Sequence, residues 1–267
     1  MTLIQAAKPA EKETPMAPYD PLAPHYEAFV GGERYGDWLA GLLTAVAAHG
    51  IVGGRALDVG CGTGRSLSAL VTAGFAAEGC DPSAAMLDEA RAALGAGVAL
   101  TVCGLPDLPA GSPLELITAL NDVVNYVAPG DLHAAVAALG ARLRPGGVLL
   151  FDANTPRTFT NFFGTTFCRD AGERFFVWES LPQDERAPAT HRADLHTFAA
   201  DPTHPGRWTR SVSHHVQHDH PHARVTAALA AAGLELLEVL GQREDGRRDT
   251  TLDEAAHSKR IYLARRP

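Results

Sequence analysis

Three glycines, Gly60, Gly62 and Gly64, stand between an apolar run at 55–59 and a helical run at 65–73. With no Cβ they let the backbone turn sharply and come close to a ligand, and a strand before and a helix after are the context such a turn needs. The spacing is G-x-G-x-G rather than the G-x-G-x-x-G of dinucleotide sites, where a pyrophosphate sits on the helix N-terminus. Asp58, just ahead of the turn, is badly placed for a diphosphate and better placed for a cationic or amino-bearing ligand. A nicotinamide dehydrogenase is therefore the weaker reading.

The alternation of strand and helix continues. Strands are expected at 75–80, 98–103, 114–120 and 148–153, helices at 84–94 and 131–143, and a turn at Arg144-Pro-Gly-Gly147. Upstream, residues 37–49 repeat apolar side chains at helical spacing. The pattern implies an α/β, doubly wound, mostly parallel sheet with helices on both faces. After Asn154 it stops. Stretches 174–179, 193–198 and 208–218 read as antiparallel strands, after which a helix at 221–232 and strands at 234–240 and 260–264 return to the first sheet. The expected division is a flexible tail at 1–18, a core at 19–154, an inserted antiparallel β cap at 155–220, and a return to the core at 221–267. Such an insertion sits above the strand ends, where open α/β sheets bind ligands.

The bulk numbers narrow the partners. Net charge is −8, from 23 basic and 31 acidic residues, and no run of Lys and Arg offsets it. An acidic chain repels a phosphate backbone, so nucleic acid is not the expected substrate. The four cysteines, Cys61, Cys80, Cys103 and Cys168, form no C-x-x-C pair and read as reduced thiols. Residues 1–18 lack the basic start and apolar run of a signal peptide, and no stretch approaches the roughly 18 apolar residues that span a bilayer. A cytoplasmic protein with no membrane partner is expected, and a homodimer is left open.

At the tip of the second strand, Asp81 can accept two hydrogen bonds from a ribose diol, or it can merely cap the next helix. The three stretches LDVGCGTGRS, GCDPSAAMLDEAR and LRPGGVLLFD, in that order, resemble the class I S-adenosylmethionine (SAM)-dependent methyltransferases of the small-molecule branch, most closely over residues 50–154. The resemblance implies SAM as cofactor and a seven-stranded sheet ending in a reversed hairpin. It implies that Asp58 and the amides of Gly60, Cys61, Gly62 and Gly64 hold the methionine part. It places Asp81 on the ribose, with Pro82 beside it, and Met86 near the adenine. Many relatives carry an Asp after the third strand; this chain has Gly104, so backbone groups of Gly104 and Leu105, or Asp107 reaching back, would meet the adenine. Leu120 and Asn121 would pass the sulfonium, and Tyr26, in the segment Tyr19-Asp-Pro-Leu-Ala-Pro-His-Tyr26, would close over the cofactor as in amino-sugar N-methyltransferases.

An ammonium or hydroxyl acceptor must lose a proton, and His suits that near neutral pH. Five histidines crowd 214–222. In an extended segment His214, Val216, His218 and His220 share one face, and Ser213, His215 and Gln217 the other. The second face is expected to line the pocket, since related enzymes often show His-x-Gln before the final helix. His215, His218 and Asp122 are the candidate bases; Asn121 and Asp122 have the alternative role of capping a short helix. A catalytic metal is not expected, because no carboxylate motif on the strand ends accompanies the His cluster. The chain lacks the Asn-Pro-Pro-Tyr pattern used on nucleobase and amide nitrogens. The aromatic insertion, with Phe159, Phe162, Phe163, Phe167, Phe175, Phe176 and Trp178, builds its own core and suits an apolar pocket. The expected activity is methyl transfer to O or N of a small-molecule acceptor, with bacterial biosynthesis as the setting that composition and analogy suggest. Other chemistry on the same fold, such as cyclisation, and a non-catalytic SAM-binding module remain alternatives.

Overall fold

The computed structural model describes residues 17–31 and 35–267. The expected N-terminal tail lies outside the described residues except for Ala17 and Pro18, which open a turn.

The main sheet has strands β1 (Gly54–Val59), β2 (Phe75–Asp81), β3 (Leu100–Val102), β4 (Leu114–Ala119) and β5 (Leu143–Asn154). Past the second sheet come β10 (Glu235–Gln242), β11 (Arg248–Asp249) and β12 (Lys259–Arg265), and the order is β11-β10-β12-β5-β4-β1-β2-β3. The chain thus starts at the centre and winds outward in both directions. Strand β12 runs antiparallel to both β5 and β10. The sheet has eight strands rather than seven, because the two-residue β11 adds an edge to β10.

Helices α1 (Tyr26–Val30), α2 (Tyr35–Ala48), α3 (Arg65–Thr72), α4 (Ala84–Leu94), α5 (Leu132–Arg142) and α7 (His222–Ala231) follow from apolar spacing and end signals; α6 (Pro156–Thr158) is a single turn. Ser83 caps α4 by accepting from the Met86 amide at 3.0 Å, and Gly95, at φ +74°, ends it. A cap of this kind is worth about 1 kcal/mol. One sheet face packs on Val136 and Leu139 of α5 and Val225 and Leu229 of α7. The other packs on Leu39, Leu42 and Val46 of α2 and Leu70 of α3.

The expected turn at 144–147 lies inside β5. The strand keeps its pairing with β4 across the Pro-Gly-Gly by slipping register between Leu114↔Leu143 and Leu116↔Val148, and Gly146 absorbs the kink at φ +77°.

The second sheet is antiparallel, in the order β6 (Phe167–Asp170), β7 (Arg174–Ser180), β8 (Thr190–Ala200) and β9 (Trp208–His218). Strand β8 is longer than the periodicity of 193–198 predicts because β7 and β9 pair along its whole length. Its inner face joins Phe176, Trp178 and Leu195 to Phe159 and Phe163 and to Leu22 of the N-terminal segment. The aromatic excess therefore fills a core that ties this sheet to residues 19–29. Among the described residues no helix is long and apolar enough to cross a membrane.

Candidate active site

The C-terminal ends of β1, β2 and β4 open into a cavity of about 940 Å³ that runs under the N-terminal segment to the edge of β9. A second cavity of about 920 Å³ lies between α2 and α3, off the strand ends, and Gly64 faces that one. The first stands where open α/β sheets bind ligands and carries the convergent polar groups, so the site is placed there.

The turn after β1 is tied to its neighbour. The amides of Gly60 and Cys61 both donate to the Cys80 carbonyl, at 2.7 and 3.0 Å, and the Gly64 amide donates to the Cys61 carbonyl. These bonds shape the turn, and Gly60, Cys61 and Gly62 line the cavity while Gly64 does not. At Gly60 (φ +68°) a Cβ would come within 2.4 Å of Val123, so only glycine lets the turn approach the segment after β4.

Asp58 does not line this cavity. It is 1% exposed, and it accepts from Ser66 and from Thr118 Oγ1, the latter at 2.6 Å. Burial pushes its carboxyl up to about 6, against those hydrogen bonds. It clamps β1, α3 and β4 from behind the cavity wall.

Asp81 does reach the cavity. Its Oδ2 accepts from the Gly62 amide at 2.9 Å and its Oδ1 from the Ser83 amide at 2.8 Å. Each oxygen keeps a second lone pair. The cap of α4 is Ser83, not Asp81, and Ser83 Oγ also donates to Asp20 Oδ1 at 2.6 Å, fastening the N-terminal segment to the site. Pro82, Met86, Gly104 and Leu105 continue the wall, while Asp107 is exposed and off it. Gly62, Cys61, Tyr26, Leu120 and Asn121 line it too. Burial, with Asp122 nearby, pushes the Tyr26 phenol up to about 12. Tyr35, which the sequence reading passed over, lines the cavity under the Arg65 guanidinium (4.5 Å) and accepts from Asn121 Nδ2 at 2.9 Å. Paired acceptors at Asp81, a glycine wall that admits close approach, and apolar Met86 and Leu105 fit the diol, the methionine part and the purine of SAM respectively.

Beyond β4, Asn121 (φ +62°) and Asp122 (φ +61°) are consecutive non-glycine residues in the left-handed region. Asp122 does not cap the 3₁₀ helix Val123–Tyr126 with its side chain. Instead its Oδ1 accepts from Lys259 Nζ at 2.9 Å and its Oδ2 from Gln217 Nε2.

Tyr126 lies at the centre of a polar chain that runs from the cavity wall into the buried His215 and Ser213. Its hydroxyl is 2.9 Å from the Tyr19 hydroxyl and 2.9 Å from His215 Nδ1, and His215 Nε2 is 3.1 Å from Ser213 Oγ. Burial above all raises the phenols of Tyr19 and Tyr126, and it lowers His215 to about 4. All three are neutral near neutral pH.

The alternation along β9 is as expected, but the other face meets the cavity. His214, Val216 and His218 line it; His215 and Gln217 are buried and reach the site through Tyr126 and Asp122. The edge position of β9 explains this, since its inner face is packed against Trp178 and Tyr19. His214 pairs with Asp194 at 2.7 Å, and His218 Nδ1 meets Thr190 Oγ1 at 3.0 Å. His220, fully buried, bonds through Nε2 to the Val124 and Val127 carbonyls and anchors the segment carrying Tyr126. Among the described residues no cluster of His, Cys, Asp and Glu could hold a metal ion.

Residues 56–147 match the family model described as a methyltransferase domain. A protein of Geobacillus sp. strain WCH70 assigned as a methyltransferase is 24% identical over 233 residues, which is 85% of this chain and 93% of that one. The crystal structure of an S-adenosylmethionine-dependent methyltransferase from Clostridium acetobutylicum superimposes with a TM-score of 0.78 at 21% identity, over 92% of this chain and 98% of the other. The SAM-bound structure of an amino pentose methyltransferase from Micromonospora echinaspora gives a TM-score of 0.69 at 25% identity, over 91% and 95%.

Proposed function

The chain carries a SAM-dependent methyltransferase domain of the class I fold, and on that premise we propose that it methylates the nitrogen of a small-molecule amine. SAM supplies an electrophilic methyl group. The protein's task is to bind and orient the acceptor, exclude water and manage one proton.

The observation that carries the reading is the neutral chain Tyr19–Tyr126–His215 at the cavity wall. An alcohol needs a base as the bond forms. His215, lowered to about 4 and engaged at both nitrogens, is a poor one, and both oxygens of Asp122 are already bonded. A neutral amine needs no base before transfer. It needs an acceptor for its N–H, which the Tyr126 hydroxyl offers, and a dry site. Asp81, Met86 and Tyr26 hold the cofactor in this reading. His218, whose pKa burial lowers, lines the cavity as a neutral imidazole that adds no positive charge beside the ammonium product, which leaves with its proton or releases it to solvent. Likeness to the structure of a sugar N-methyltransferase from Streptoalloteichus sp. ATCC 53650, at a TM-score of 0.68, supports nitrogen as the target.

His218 also favours one other reading, a hydroxyl acceptor with His218 as base. The pH profile separates them. For an amine, kcat/KM rises about tenfold per pH unit up to the acceptor's own pKa. For a hydroxyl with His218 it levels off once His218 is neutral, below its ordinary 6.5.

A further inference from the structure

Lys259 lies on β12 with its ammonium between two acids. Its Nζ is 2.9 Å from Asp122 Oδ1 and 2.5 Å from Asp152 Oδ2, and Asp152 is fully buried on β5. Asp152 also accepts the Asp122 amide, at 3.1 and 3.3 Å. The other Asp122 oxygen takes Gln217 of β9, whose Oε1 accepts from Asn154 Nδ2 at 2.9 Å. One cluster thus fixes the strained turn after β4 and fastens it to the second sheet.

We infer that Lys259 is a positioning residue for methyl transfer: by bridging Asp122 and Asp152 it holds the left-handed Asn121–Asp122 turn, and with it Tyr126 and strand β9, in register across the cavity. The inference rests on methyl transfer taking place in that cavity, as proposed above.

A left-handed φ at two successive non-glycine residues persists only where the surroundings over-determine it. Here they do, because the amide and both carboxylate oxygens of Asp122 are bonded. Burial opposes the Lys259 charge, and the carboxylates of Asp122 and Asp152 outweigh it, raising its pKa. Burial raises Asp152, and Lys259 opposes that. Around Asp122 the facing groups are Lys259 from β12, Asp152 from β5, His215 and Gln217 from β9, Tyr126, and Tyr19 and Tyr26 from the N-terminal segment. Without the ammonium, the fully buried Asp152 carboxylate and the partly buried Asp122 carboxylate beside it disfavour each other's charge, and the pair holds a proton more tightly than an ordinary carboxylate.

The test compares Lys259→Met with the double variant Lys259→Met/Asp152→Asn. The asparagine side chain of the double variant keeps an acceptor for the Asp122 amide and removes the second charge. Three readouts are needed: affinity for S-adenosylhomocysteine, kcat/KM for the amine found active with wild type, and Tm of the ligand-free protein from pH 6 to 8. Lys259→Met is expected to keep cofactor affinity within about threefold while losing about a hundredfold in kcat/KM at pH 8, as a misplaced wall would. Its Tm should fall as pH rises, since the acid's folded pKa exceeds its unfolded one and the stability it brings is lost as pH passes the folded value. The double variant should recover at least a tenth of wild-type kcat/KM and lose the pH slope in Tm. Wild-type activity in Lys259→Met, no recovery in the double variant, or equal Tm slopes in wild type and Lys259→Met each overturn the inference. Wild type inactive on every amine refutes the acceptor assignment instead, and the Tm slopes still decide whether Lys259 holds the acid pair.

Discussion

Tyr126→Phe removes one oxygen from the centre of the site. That hydroxyl serves two partners, Tyr19 Oη at the cavity wall and the buried His215 Nδ1, both at 2.9 Å. Deleting it leaves each short of a protein partner, at about 1–3 kcal/mol per group. Tyr126 no longer has to be desolvated as a phenol, so the net loss of stability is roughly 2–3 kcal/mol. On activity, the bond that orients the acceptor N–H is lost, and with about 1.4 kcal/mol per tenfold the expected fall in kcat/KM is roughly ten- to thirtyfold. Affinity for S-adenosylhomocysteine should hold, because Asp81 and Met86 are untouched. The assay is steady-state methylation of the amine acceptor beside calorimetry and thermal melting of the same preparation. A variant that melts earlier yet methylates with wild-type kcat/KM would refute the reasoning and reduce the Tyr19–Tyr126–His215 chain to a structural contact.

Asp81→Ala should lower affinity for S-adenosylhomocysteine by about a hundredfold or more, since two hydrogen bonds to a charged acceptor are worth about 1.5–3 kcal/mol each, and calorimetry reads it directly. Gly60→Ala forces a Cβ to within 2.4 Å of Val123 on a left-handed backbone; it should weaken cofactor binding and acceptor turnover together while far-UV dichroism stays unchanged. His215, held by burial at about 4 against 6.5 in the unfolded chain, refuses a proton that the unfolded chain accepts. Its stability contribution is present above pH 6.5 and lost as pH falls toward 4, roughly 3 kcal/mol in all, so Tm between pH 7 and 5 should fall less steeply in His215→Gln than in wild type.

The parallel half of the fold was legible because its signals are local. Glycines at 60, 62 and 64, the acid ending β2, and the apolar runs of β1, β4 and β5 each report on a neighbourhood of a few residues. Strand β6 and the two-residue β11 were not legible, since both exist through pairing with β7 and β10 and not through a pattern of their own. The Pro-Gly-Gly at 145–147 reads as a turn until β4 is there to pair across it. In the site, residue types were easier to find than their duties. Asp58 stood out as an acid beside the turn, but only the Ser66 and Thr118 hydroxyls show that it faces inward. Alternation along β9 separated His215 from His218 correctly; which face meets the cavity depends on β9 being an edge strand under Tyr19, and no periodicity records that. Tyr35, Tyr126 and Lys259 were missed because their meaning lies in contacts across 86, 89 and 137 positions of chain. A lone Lys at the head of the last strand carries no signal until Asp122 and Asp152 are seen on either side of it.

The most direct test of the account is to give the protein SAM with a deuterated methyl group and matched pairs of amine and hydroxyl acceptors on the same scaffold, and to locate the label by tandem mass spectrometry. The account predicts label on nitrogen, in step with formation of S-adenosylhomocysteine. Label on oxygen, or S-adenosylhomocysteine formed without a methylated amine, would contradict it.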